Sequence, residues 1–343
     1  MKYPGLFFLS SIVVGMLKLF IGPVLVSVVA FVATYVWGGM EALALVLFLT
    51  VLEVSLSFDN AVVNARVLMR MDEKWRKRFL TWGMLIAVVG TRLVFPVLLV
   101  SLAAAISPGV LLMLLFSNPA EYARLVEDAA PVIHALGGAF LAMVALKYFF
   151  DEAKRVHWIS FVEQRLVSWG KVQAIEVAVA LSLLLLCAWL APVHAAVILG
   201  AGAVGIVLFV LMEGVVDMLG TSGAQVAKQG FGLFMYLNVL DAAFSFDGVV
   251  GAFTLTSELL IIVVGLGIGA YFVRSFTVLL VEKKTLATLV YLEHGAYWAI
   301  GALSLCMFIG LFKPVPDAVA GSISLLFIGA AYLSSLRERR RQV

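Results

Sequence analysis

A chain of 343 residues that is 63% hydrophobic and 13% charged, with a mean hydropathy of +1.09, cannot cover itself with a water-compatible surface. A soluble globular domain is excluded, and the composition is that of an integral membrane protein. The formal charge of +3 says less than the places where the positive residues fall.

At roughly 20 apolar residues per crossing, the length leaves room for about nine to eleven transmembrane helices. Residues 5–17 are an apolar stretch too short to cross alone, either an interfacial helix or the start of a long tilted first span. No small-residue cleavage site follows it, so it reads as retained. Apolar runs bounded by charged or Pro/Gly-containing connections then predict ten spans, near 19–37, 41–65, 79–105, 131–150, 173–191, 195–212, 231–254, 259–281, 287–311 and 317–335. Between the fourth and fifth, "RVHWISFVEQRLVSWG" mixes apolar and charged residues as an amphipathic surface helix does. The connection 213–230, rich in Gly, Ser and Gln, is expected to be a flexible loop between two halves. Cys187 and Cys306 stand alone in apolar runs and read as packing residues.

Basic residues sort these spans by side. Arg66, Arg70, Lys74, Arg76, Lys77 and Arg78 follow the second span, and Lys154, Arg155, Arg165 and Lys171 follow the fourth. Both connections are expected to be cytoplasmic, with Lys283, Lys284 and the C-terminal Arg337, Arg339, Arg340 and Arg341 on the same side. The opposite side receives only Arg124 and Lys313. A bacterial inner membrane is the expected location. Nucleic-acid binding has no supporting fold.

Two stretches depart from this apolar background, "EVSLSFDNAVV" at 53–63 and "DAAFSFDGVV" at 241–250. Aligned without gaps, Glu53 falls on Asp241, Ser57 on Ser245, Phe58 on Phe246 and Asp59 on Asp247. A helix carrying an arginine follows each copy, with Arg92 and Arg274, and further on each acquires a histidine, His134 and His294. By the charge argument the second span runs inward and the seventh outward, so the repeat of three-helix units is inverted. Inverted repeats are characteristic of secondary transporters, whose substrate site lies near the midplane where the repeats meet.

An ionised carboxylate at the bilayer centre costs about 2.5–3.5 kcal/mol even on the lenient insertion scale, so four of them need partners or a wet cavity. Six residues along a helix leave two side chains roughly 120° apart. Either the helix is interrupted near Ser57 and Ser245, or the two acids serve different walls. The four carboxylates with Asn60, Asn64 and Asn238 form an oxygen-rich set suited to Mn²⁺, Mg²⁺ or Ca²⁺, and thiolates are missing. Arg92 and Arg274 read as counterions. His134 and His294 read as hydrogen-bonded core residues or proton carriers before direct ligands, and Glu293 is a further buried-acid candidate. Glu41 and Glu176 read as interfacial anchors, and Glu213 with Asp217 as a weaker cytoplasmic metal entrance. No Walker motif, H-E-x-x-H or nucleophile–base arrangement is present, which argues against an enzyme.

On "EVSLSFDNAVV" and "DAAFSFDGVV", each with its Gly-rich, Arg-containing helix, the chain resembles the TerC family of integral membrane proteins, over about residues 40–311. The resemblance implies a metal-transporting protein, tied to tellurium resistance and manganese export, with a site at Glu53, Asp59, Asn60, Asp241 and Asp247. Gly248 stands where the first copy has Asn60.

These readings combine into an all-α polytopic bundle: an N-terminal membrane segment (1–38), a first repeat (39–150), a central segment (151–230), a second, inverted repeat (231–311), and a last span with a basic tail (312–343). The expected function is export of a divalent metal, manganese foremost, with proton exchange as a natural coupling and no organic cofactor. The expected partners are the lipid bilayer and the metal ion, and a homo-oligomer is compatible. Transport of another cation, or a membrane assembly or stress-response scaffold with a structural metal, are the alternatives.

Overall fold

The computed structural model describes residues 4–83, 86–220, 226–256, 258–282 and 288–341, with side chains described except at 4–18, 87–89, 93, 219–220, 226–229, 246–247, 254 and 341. Among these residues there are helices and no strands, and the protein is a helical membrane bundle. In chain order the helices are α1 (Pro4–Leu56), α2 (Phe58–Met69), α3 (Glu73–Arg78), α4 (Phe95–Ala104), α5 (Pro108–Ser117), α6 (Pro119–Asp128), α7 (Ala130–Phe149), α8 (Ser160–Trp169), α9 (Ile175–Leu190), α10 (Ala195–Gly220), α11 (Val226–Leu255), α12 (Leu259–Glu282), α13 (Leu292–Gly310) and α14 (Asp317–Arg341). Among the described residues seven helices are long and apolar enough to cross a membrane, or eight if the bent pair α4–α5 is one span. Large apolar side chains such as Val36, Leu102, Phe116 and Trp189 face outward, as a lipid solvent permits.

The first helix folds back on itself at Gly39. That residue has φ 70° and ψ −161°, backbone angles open to glycine and strained for any L side chain. Phe20, before it, and Phe58, after it, both pack edge-on against Phe276 with ring centroids 5.0 Å apart. A straight helix would separate residues 20 and 58 by roughly 57 Å. The predicted spans 19–37 and 41–65 are therefore two antiparallel arms that meet at Gly39.

The second arm lies along α12. Thr50 Oγ1 donates to the Gly265 carbonyl at 3.2 Å, and the absent side chain of Gly269 admits the Glu53 stem: a methyl there would fall 2.5 Å from Glu53 Cγ. Around this pair one apolar core gathers Leu49, Leu111, Tyr122, Ile133 and Leu266, and a second fills the space between α7, α10 and α13.

Several expectations need correction. The two motifs differ. In the first, the helix breaks at Ser57 (φ −101°, ψ 11°), between α1 and α2, although its N–H still donates to the Glu53 carbonyl at 2.9 Å and its carbonyl accepts from Ala61 at 3.1 Å. The second copy lies within one unbroken helix, α11. The expected span at 79–105 is π-helical over Phe79–Gly83 and Ile86–Val94, and α4 then turns by 115° into α5, because Ala105 is left-handed and Pro108 cannot continue the helix. The expected loop at 213–230 is mostly helix, since α10 runs on to Gly220 and α11 starts at Val226; residues 221–225 lie outside the described residues, as do Lys283 and Lys284.

Candidate functional site

The two motif copies cross in opposite directions. Glu53 faces Gly248, where a methyl would lie 3.4 Å from Glu53 Oε2. Asn60 and Asn64 donate to Asp241 Oδ1 at 2.8 and 2.7 Å, and Trp75 packs on Phe231 and Phe234. Numbers rise along the first copy as they fall along the second. The contact is also reciprocal: the first acid of each motif packs on the residue that follows the second acid of the other. A purely parallel or unrelated packing would not return this pattern.

Three of the four acids have described side chains. Glu53 Oε1 accepts from Ser57 Oγ at 2.7 Å and forms an ion pair with Arg92 in which both side chains are buried. Asp241 takes both amides on one oxygen. Asp59 is fully buried, with Oδ1 accepting from the Asn60 N–H at 2.8 Å and Oδ2 meeting no donor among the described residues. The side chain of Asp247 lies outside the described residues. Arg274 hydrogen-bonds to the Leu80 carbonyl, not to a carboxylate.

Between these groups lies a cavity of about 50 Å³, lined by Ser57, Asn60, Asn64, Arg92, Asp241, Ser245 and Arg274 together with apolar neighbours. At about 10–15 Å³ for each water-sized guest, it can hold a small ion and part of a hydration shell. Among the described residues no three His, Cys, Asp or Glu side chains converge to hold a metal. Glu53 is committed to Arg92, so among the described residues this conformation offers Asp241 as the one carboxylate on the cavity wall.

Three expected members are elsewhere. Glu293 pairs with Arg66, whose guanidinium lies 5.2 Å from the ring centre of Tyr148 and 5.7 Å from that of Tyr297. His134 packs beneath Gly310. His294 bonds through Nδ1 to Glu163 Oε2 at 2.8 Å. Each is drawn to a partner away from the crossing of α2 and α11: Glu293 to Arg66 near the end of α2, His134 to α13, and His294 to Glu163 of α8. Asn238 donates to the Phe234 carbonyl of its own helix.

Glu163 is the residue that sequence reasoning passed over. It is fully buried under α8, and it accepts from His294, from Trp298 Nε1 at 3.0 Å and from the N–H groups of Trp158 and Ile159, with Lys154 Nζ 2.9 Å away. Burial alone raises such a carboxyl, but His294, Lys154 and Trp298 together hold it well below the usual carboxylate range. Burial pulls the Lys154 ammonium below its ordinary value. The available signal was position: Glu163 falls on the face of α8 that carries Ile159, Val162 and Leu166.

A larger cavity, about 560 Å³, lies further along the same two helices, walled by Val67 and Arg70 of α2 and Leu233 and Tyr236 of α11. Lys147 pairs there with Glu213 at 3.1 Å and Glu176 at 3.6 Å.

A family model described as "Protein of unknown function (DUF475)" matches residues 58–342. No curated protein and no solved structure matches the chain.

Proposed function

The chain belongs to the DUF475 family, and from the arrangement of its buried polar groups we propose that it is a secondary transporter which exports divalent metal cations, manganese foremost, through a midplane site of paired acids. The substrate would be held by Glu53, Asp59, Asn60, Asp241 and Asp247. One observation carries the reading: buried polar side chains of the two motif copies, Asn60 and Asn64 from one and Asp241 from the other, meet across an antiparallel crossing at a cavity in an apolar bundle. Buried ionisable groups in membrane spans are costly and mark ion pathways.

Further support comes from the reciprocal contact, which is what an inverted repeat of three-helix units produces. Counting the folded-back α1 as two crossings, the bent pair as one and the shorter α9 as one brings the bundle to the ten spans of the charge-based topology. That topology puts the basic loops and C-terminus in the cytoplasm of a bacterial inner membrane. The larger cavity then opens toward the cytoplasm, one to two turns from Asn64 and Asp241, as an approach route. The TerC-like motifs favour a metal cargo. Because Arg92 occupies Glu53, loading a divalent ion requires Arg92 to withdraw, and the widened π-helical winding around it gives the backbone a way to re-register.

The test is Mn²⁺ flux into vesicles holding only this protein, with and without a pH gradient. Asp241→Asn and Glu53→Gln are expected to lower flux by about tenfold or more per molecule of reconstituted protein. Unchanged flux in both variants refutes the assignment. A folded protein that moves no metal and co-purifies with partners points instead to the scaffold alternative.

A further inference from the structure

We infer that the small cavity at the crossing of α2 and α11 is a binding site for a hard monovalent metal cation, Na⁺ in size class, and that this ion is the one exchanged against the divalent cargo. The coupling role rests on the transport reading above; the binding site stands on its own geometry.

The argument begins with the two amides. Both Asn60 and Asn64 donate their NH₂ groups to the same oxygen, Asp241 Oδ1. That fixes which way each amide faces, because turning either one would set a carbonyl oxygen against a carboxylate. Their Oδ1 atoms are therefore locked as acceptors, and both are buried with no donor among the described residues. Ser245 Oγ, on the second copy, is likewise buried without a partner among the described residues. All three residues line the cavity, and among the described residues Asp241 supplies the only carboxylate on its wall. Ser57 Oγ, which spends its proton on Glu53, adds another oxygen with free lone pairs.

Such a wall of amide, hydroxyl and single carboxylate oxygens calls for a hard cation or an ordered water. Charge decides which cation. Arg92 and Arg274 also line the cavity, and with Glu53 committed to Arg92 the net charge of the described side chains around the guest is close to zero. In such surroundings attraction and repulsion grow together with the guest's charge, so the cost of stripping its water decides, and that cost rises as the square of the charge. The conformation with Arg92 on Glu53 therefore suits a single positive charge. The conformation with Arg92 withdrawn adds a free carboxylate and suits two. One set of helices can thus hold either ion and not both, which is the requirement for exchange.

The experiment uses the full chain purified in detergent. Thermal unfolding is followed at constant ionic strength while choline chloride is replaced by NaCl or by KCl, and Mn²⁺ binding is followed in parallel by electron paramagnetic resonance. The expected result is saturable stabilisation by Na⁺ that exceeds that of K⁺. In Ser245→Ala and Asn64→Ala the Na⁺ concentration for half effect should rise by about tenfold, the weight of one lost ligand. Should Asn64→Ala fail to fold, Ser245→Ala, which deletes a single oxygen, carries the test. Equal responses to Na⁺, K⁺ and choline, dependence on pH alone, or unchanged Na⁺ response in Ser245→Ala each overturn the inference. Na⁺ saturation without any Mn²⁺ binding upholds the monovalent site and removes the transport reading. Mn²⁺ binding without a specific Na⁺ effect does the reverse.

Discussion

Glu53 is held from three directions, by the Ser57 hydroxyl, the Arg92 guanidinium and the close face of Gly269. Removing one member of a buried ion pair strands the other and typically costs about 3–5 kcal/mol, whereas removing both costs much less. Glu53→Gln and Arg92→Gln should each lower stability by that order, and the double variant should recover part of the loss. Chemical unfolding of the four proteins in micelles measures the coupling, and simple additivity would mean that the two charges do not depend on each other. Glu163 makes a second, separable prediction. Its folded pKa is held below the ordinary value of 4.5, so its contribution is complete above that value and disappears as pH falls through the folded one. Lys154, His157 and His294 face it, with Trp298 as a neutral donor. Stability of the wild type should thus be flat in this respect from neutral pH to about 5 and fall below it. Glu163→Gln should be weaker at neutral pH and lack that acid limb, with wild type and variant converging in a pH series of melting curves.

At the scale of elements, the sequence marked the apolar runs well because a bilayer demands them. Turns between them were less visible. Gly39 sits in "WGGMEA", and nothing local tells which of two glycines reverses the chain. The backbone angles at Gly39 decide, and replacing it with alanine should cost about 1–3 kcal/mol although no atom crowds the position. Gly200, inside α10 and equally uncrowded, has no positive φ, and alanine there should be neutral or stabilising by up to about 1 kcal/mol. Comparing the two variants in the same unfolding assay separates backbone strain from any general effect of a methyl group. The π-helical winding around Arg92 was equally hidden, since no residue type specifies it. The connection 213–230 misled because Gly, Ser and Gln suggested a loop, yet α10 extends through Glu213 and Asp217 and places Glu213 against Lys147.

For the whole molecule, the amino-acid sequence by itself determined that the chain lives in a membrane, where most of its helices run, and that two apolar stretches carry acids at the same spacing of six. Those are consequences of hydropathy, helical length and residue identity, which need no partner to be read. Only the tertiary structure decided that the motifs cross antiparallel with Asn60 and Asn64 on Asp241, that Arg92 takes Glu53 while Arg274 takes a backbone carbonyl, and that His294 and Glu293 belong to other clusters. Such pairings depend on which helix faces meet, and a face acquires its neighbour from packing far along the chain, where local sequence carries no information.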